Sequence, residues 1–154
     1  MTAPDTYAHP LRIYWEDTDA GGVVFYANYL KFFERARTEW LRSMGFGQEE
    51  LRTQTGALFV VSQTTVRYLR PARLDDLLTV TVRVQHAGQA SMNIAQVAWR
   101  GKEQLATGEI RIGCVDAQSF RPRRIPEPML NALAEQAQRL ALSPTTSKNT
   151  ETAE

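Results

Sequence analysis

Asn28-Tyr29-Leu30-Lys31-Phe32-Phe33-Glu34-Arg35-Ala36-Arg37-Thr38-Glu39-Trp40-Leu41-Arg42 is the most strongly patterned stretch of the chain. Tyr29, Phe32, Phe33, Ala36, Trp40 and Leu41 recur at spacings of three and four, which gathers them on one face of a helix. Glu34, Arg35, Arg37, Glu39 and Arg42 cover the remainder. Asn28 is the expected N-cap and Gly45 the expected stop. So large an aromatic face predicts burial against a sheet rather than a place at the surface.

The flanking sequence supplies that sheet. Leu11 to Trp15 reads as a short strand with Leu11, Ile13 and Trp15 on one side. After the helix, Leu58 to Tyr68 is rich in valine, threonine and aromatic residues. Leu78, Val80, Val82, Val84 and His86 alternate with polar residues, the period of two of a half-buried strand. Ala90 to Arg100 and Gln104 to Val115 continue the pattern. The turns at His86-Ala87-Gly88-Gln89 and Arg100-Gly101-Lys102-Glu103 join these strands as antiparallel hairpins. Residues 126–142 read as a closing helix with Met129, Leu130, Leu133, Ala137 and Leu140 inward. The expected class is α+β: a curved antiparallel sheet wrapped around one long helix, with a C-terminal helix added. Its edge strands favour self-association. The folded domain is expected over residues 9–142, between a flexible start at 1–8 and a disordered polar tail at 143–154.

Composition narrows the class of function. The chain has 154 residues, 43% of them hydrophobic and 23% charged, enough for one domain with a real core. A net charge of +1 gives no global attraction to nucleic acid or to a membrane surface, so any anion site is local. One cysteine, Cys114, excludes an internal disulfide and a Cys-rich zinc site. The first residues show no leader peptide, and no apolar run is long enough to span a bilayer. The expectation is a cytoplasmic protein.

Several chemistries lack their residues. There is no G-x-S-x-G elbow and no glycine-rich nucleotide loop. His9 lies in the N-terminal entry and His86 ends a strand, and both are expected to be structural. Cys114 has no adjacent base and is expected to be buried and inert.

The acidic turn Glu16-Asp17-Thr18-Asp19-Ala20-Gly21-Gly22 is the remaining candidate. A calcium loop would need an oxygen ligand where Gly21 stands and Glu where Asn28 stands. A purely structural turn, its carboxylates capping amides, is the ordinary reading. A catalytic reading rests on position: the acids lie just before a helix whose first amides favour negative charge. Such amides can hold the oxyanion of an acyl-transfer intermediate while a carboxylate attacks or activates water. Gly21 and Gly22 would let a ligand approach the backbone. A thioester suits this equipment, and no metal or cofactor is called for.

The run from Tyr14 to Tyr29, YWEDTDAGGVVFYANY, resembles the signature of the 4-hydroxybenzoyl-CoA thioesterase family. Phe33-Glu34-Arg35-Ala36-Arg37-Thr38-Glu39 and the segment Val115 to Pro126 are similar to its Tol–Pal-associated YbgC branch. The resemblance covers roughly residues 10–140. It implies a hot-dog fold, dimers assembled into tetramers, and active sites at subunit interfaces. It implies Asp19 as the catalytic acid, the Tyr26 amide as the group that polarises the carbonyl, and a structural Asp17. The branch usually carries His where Tyr26 stands, which leaves acyl preference open. Phe25, Tyr26 and Phe59 are candidates for lining the acyl pocket.

The implied reaction is hydrolysis of a short-chain or aromatic acyl-CoA, with an acyl carrier protein as an alternative carrier. Arg121, Arg123 and Arg124 form the densest basic cluster and are the candidates for the CoA phosphates, since guanidinium binds phosphate bidentately. Ser91 aligns loosely with a CoA-contacting region of the family. Two other functions stay in view: an acyl-thioester dehydratase of the same fold, which would need a catalytic His, and a non-catalytic protein that binds an acyl carrier or envelope-linked partners.

Overall fold

A computed structural model describes residues 6–142, and the side chains of residues 6–136. The outer parts of the expected flexible start and the polar tail lie outside the described residues. In order along the chain come β1 (Tyr7–Arg12), a 3-10 turn at Trp15–Asp17, α1 (Asn28–Ser43), α2 (Gln48–Thr55), β2 (Ala57–Tyr68), β3 (Leu77–Ala87), β4 (Ser91–Arg100), β5 (Glu103–Asp116) and α3 (Glu127–Leu142).

The strands form one antiparallel sheet in the order β1-β3-β4-β5-β2. Helix α1 lies on its inner face, and the two share a single core. Tyr29, Phe32, Phe33, Ala36, Trp40 and Leu41 are all buried, as their spacing predicts. Leu78, Val80, Val82, Met92, Ile94, Ala98, Ala106, Ile110 and Ile112 meet them from the sheet. Gly108 of β5 fixes how closely they meet: a Cβ there would stand 2.9 Å from the Phe33 ring. This is the helix-in-sheet architecture expected from the sequence.

One polar cluster lies in the core. The Gln96 amide nitrogen donates to the Phe33 carbonyl at 3.0 Å, and its oxygen accepts from Arg37 Nη1 at 2.9 Å. Burial lowers the pKa of Arg37 from its ordinary value, with Glu34 opposing the shift.

Three local readings are corrected. The first strand runs Tyr7–Arg12, not Leu11–Trp15, and Tyr7 and Ala8 pair with Val82 and Thr81. Trp15 instead enters a 3-10 turn, because the Asp17 carboxylate accepts the Tyr14 amide at 2.8 Å and curls the chain. Asn28 is not the cap. It is the first residue of α1, and its side chain donates to the Asp17 carbonyl at 2.8 Å. Helix α2 leaves no mark in the sequence pattern, because QEELRTQT buries only Leu51 and so carries almost no periodic signal. Gly45 is the stop for α1, with φ +89° and its amide on the Arg42 carbonyl.

β2 is an edge strand twelve residues long, and most of it beyond Val60 is exposed, Val61 by 50%. No helix among the described residues is long and apolar enough to cross a membrane.

Candidate active site

The acidic turn folds back on itself before α1 begins. The Phe25 amide donates to the Asp17 carbonyl, and Thr18 bridges Val24. Within this loop the Asp19 amide donates to the Val23 carbonyl, and the Asp19 carbonyl accepts the Gly22 amide. Gly22 has φ +79°, a conformation that side chains rarely adopt. Gly21 is needed for another reason: its amide donates to Asp19 Oδ1 at 2.8 Å, and a Cβ there would stand 3.2 Å from that oxygen. The glycines thus shape the turn that holds the carboxylate.

The two acids play different parts. Asp17 is spent on structure through its carboxylate and its carbonyl. Asp19 is exposed, and its Oδ2 has no hydrogen-bond partner among the described residues. It borders an open groove of about 530 Å³ lined by Trp15, Thr18, Asp19, Ala20, Gly22 and Leu74. Among the described residues no group of His, Cys, Asp and Glu is placed to hold a metal.

Tyr26 lies two residues before α1. Its amide finds no acceptor among the described residues, while its carbonyl accepts the Tyr68 hydroxyl at 3.0 Å. The free amide therefore stands at the positive end of a sixteen-residue helix.

The loop between β2 and β3 supports the turn from behind. The Val24 amide donates to the Ala72 carbonyl at 2.8 Å, and Val23 bridges Arg73. Arg100 braces that loop through the Pro71 carbonyl at 3.2 Å and the Asp76 carboxylate at 2.7 Å. Sequence reasoning missed Leu74, Arg100 and Tyr68. Leu74 and Tyr68 reach the turn, and Arg100 the loop behind it, through contacts between segments distant in sequence, so no local pattern marks them.

The basic cluster is elsewhere. Val115 bridges Pro122, and the Asp116 amide donates to the Arg121 carbonyl, so residues 121–124 sit where β5 ends and β2 begins. Ser91 is there too: the neighbouring Ala90 and Gln89 carbonyls accept the Cys114 and Ile125 amides. Asp19 and Tyr26 belong to the opposite end of β2, near Tyr68. Twelve residues of strand separate the two ends by roughly 35 Å. Phe59 is also at the distant end, in a 120 Å³ pocket with Arg37, Trp40 and Gln48. Arg123 is already engaged, donating Nη1 to the Thr55 carbonyl at 2.7 Å at the end of α2. Arg121 and Arg124 are exposed. Cys114 is buried, and burial raises its pKa from the ordinary thiol value.

The model of the thioesterase superfamily matches residues 21–107. The chain is 40% identical over 121 residues to the acyl-CoA thioesterase YbgC of Haemophilus influenzae, covering 79% of this chain and 89% of that one. It is 41% identical over 122 residues to the acyl-CoA thioester hydrolase YbgC of Escherichia coli, covering 79% and 90%. The crystal structure of a probable thioesterase from Bartonella henselae superposes with a TM-score of 0.76 at 35% identity, covering 79% of this chain and 99% of the other.

Proposed function

Because this chain belongs to the thioesterase superfamily and is an acyl-CoA thioester hydrolase, we propose that Asp19 is its general base and the Tyr26 amide its oxyanion donor. The observation that carries this reading is the pairing of an exposed carboxylate oxygen without a partner and a helix-end amide without an acceptor, both on one folded-back turn. Asp19 takes a proton from water, and the water oxygen bonds to the thioester carbon. The carbonyl oxygen becomes an oxyanion, which the Tyr26 N–H and the helix end stabilise. Collapse of the intermediate breaks the C–S bond and releases the CoA thiolate and the carboxylic acid.

The CoA phosphates need cations, and Arg121 and Arg124 are free to supply them, whereas Arg123 is committed to α2. Their distance from Asp19 makes a site within one chain too long. Two exposed β2 edges paired antiparallel about a two-fold axis would set the Ala57 end of one strand beside the Tyr68 end of the other. Arg121, Arg124 and Ser91 of one copy would then serve Asp19 of its partner. The functional unit in this reading is a homodimer. The basic segment favours CoA over an acyl carrier protein, which lacks the 3′-phosphate.

Thiol release from a panel of acyl-CoAs tests the role of Asp19. Asp19→Asn should lower turnover by about 100-fold or more, the usual scale for loss of a general base. Wild-type turnover by that variant would overturn the assignment. A single turnover in ¹⁸O-water should label the product acid and leave Asp19 unlabelled.

A further inference from the structure

We infer that Trp15 determines acyl specificity: it and Leu74 form the apolar walls of the Asp19 groove, and the flat face of Trp15 selects planar acyl groups. This rests on the reading of Asp19 as the group that acts at the thioester carbon.

Trp15 is 81% exposed, more than any other large hydrophobic residue among those described. An isolated exposed apolar side chain needs no explanation, but this one lines the same groove as the Asp19 carboxylate. Its position is fixed by the 3-10 turn: the Trp15 carbonyl accepts the Thr18 amide at 3.1 Å and the Thr18 hydroxyl at 2.8 Å. Leu74 reaches the groove from the loop between β2 and β3, which the turn itself binds through Val24 and Ala72.

The chemistry of the substrate decides what the walls receive. Asp19 acts at the carbonyl carbon, so its surroundings meet either the acyl group or the first atoms of the pantetheine arm. That arm carries two amides that seek hydrogen bonds. The Thr18 hydroxyl in the lining is already donated to the Trp15 carbonyl, and beyond Asp19 the side chains of Trp15, Ala20 and Leu74 offer only the indole N–H, which suits a hydrocarbon acyl group better than two amides. An exposed indole adds a flat face, and aromatic pairs gain beyond simple area burial when they stack offset or meet edge to face. A flexible alkyl chain gains only the area.

The test compares benzoyl-CoA and butyryl-CoA as substrates of the full chain. Trp15→Leu keeps an apolar wall and removes the flat face. It should lower kcat/KM for benzoyl-CoA about tenfold and leave butyryl-CoA within about twofold. Leu74→Ala should weaken both. Equal losses on both esters with Trp15→Leu, or no loss on benzoyl-CoA, would overturn the assignment. A second measurement is independent of turnover: calorimetric binding of the non-hydrolysable S-benzyl and S-butyl thioethers of CoA. Trp15→Leu should weaken the benzyl compound about tenfold and spare the butyl one, and unchanged benzyl binding would refute the role of Trp15. Failure of the underlying reading looks different. Asp19→Asn would then retain wild-type turnover, and the thioether comparison would still decide the Trp15 assignment.

Discussion

The Tyr68 hydroxyl donates to the carbonyl oxygen of Tyr26 at 3.0 Å, tying the last residue of β2 to the loop that enters α1. Burial and the neighbouring Tyr26 phenol raise the pKa of Tyr68, so it remains a donor at neutral pH. A neutral hydrogen bond of this kind contributes about 1 kcal/mol. Tyr68→Phe should therefore lower stability by about 1 kcal/mol and, by loosening the Tyr26 amide, lower kcat by up to about fivefold with KM kept. Steady-state kinetics check this. A raised KM with intact kcat would show that the bond serves binding rather than the position of the Tyr26 amide.

Separation of the basic segment from Asp19 along β2 leads to a mixing experiment. Asp19→Asn and the double variant Arg121→Ala/Arg124→Ala should each be impaired, the second mainly in KM for CoA esters. Co-refolded together, they should recover activity, because half the sites in a mixed dimer pair an intact Asp19 with intact arginines. A site within one chain gives no recovery. Arg123→Ala should behave differently, reducing stability by about 1 kcal/mol through its lost bond to Thr55, with KM for CoA esters unchanged.

Asp76 links the loop behind the acidic turn to pH. Burial pushes its carboxyl up, but the Arg73 amide and the Arg100 guanidinium outweigh that and hold it below its ordinary value near 3.8. A carboxylate with a depressed folded pKa stabilises the protein fully above its unfolded value, and that contribution is lost as pH falls through the folded value. Asp76→Asn should thus be less stable than wild type at pH 7, and the difference should shrink as pH falls from about 4 toward 2. Urea unfolding at a series of pH values measures it. A constant difference across that range would show that the carboxylate charge is irrelevant to the loop.

Gly108 sets the distance between α1 and the sheet, with 2.9 Å between an added Cβ and the Phe33 ring. Both sides are buried, so the ring has little room to move. Gly108→Ala should destabilise the protein by about 1–3 kcal/mol through overpacking. Phe33→Leu combined with it should cost less than the sum of the two single changes, because they share one contact. Denaturant midpoints of the four proteins give the coupling. Strict additivity would mean that the helix shifts as a body instead.

Much of this molecule is legible locally. The aromatic period of α1, the alternation along β3 and the hairpins at Gly88 and Gly101 mark their elements, because side-chain periodicity follows directly from backbone geometry. The weakly amphipathic α2 escapes that logic. So does β1, whose start at Tyr7 depends on its pairing with Val82.

The candidate site divides along the same line. Sequence by itself determined the acidic turn, the glycines that shape it and its place before α1, since these are neighbours in the chain. It also offered Arg123 as the equal of Arg121 and Arg124. Only the tertiary structure committed Arg123 to Thr55, brought Leu74 into the groove beside Asp19, tied Tyr68 to the Tyr26 carbonyl, placed the Arg100-braced loop behind the turn, and set β2 at the sheet edge with the arginines at its far end. The physical reason is that strand order and register come from long-range hydrogen bonding and shared core burial. A period of two records which face of a strand is buried, and it carries no information about which strand lies beside it.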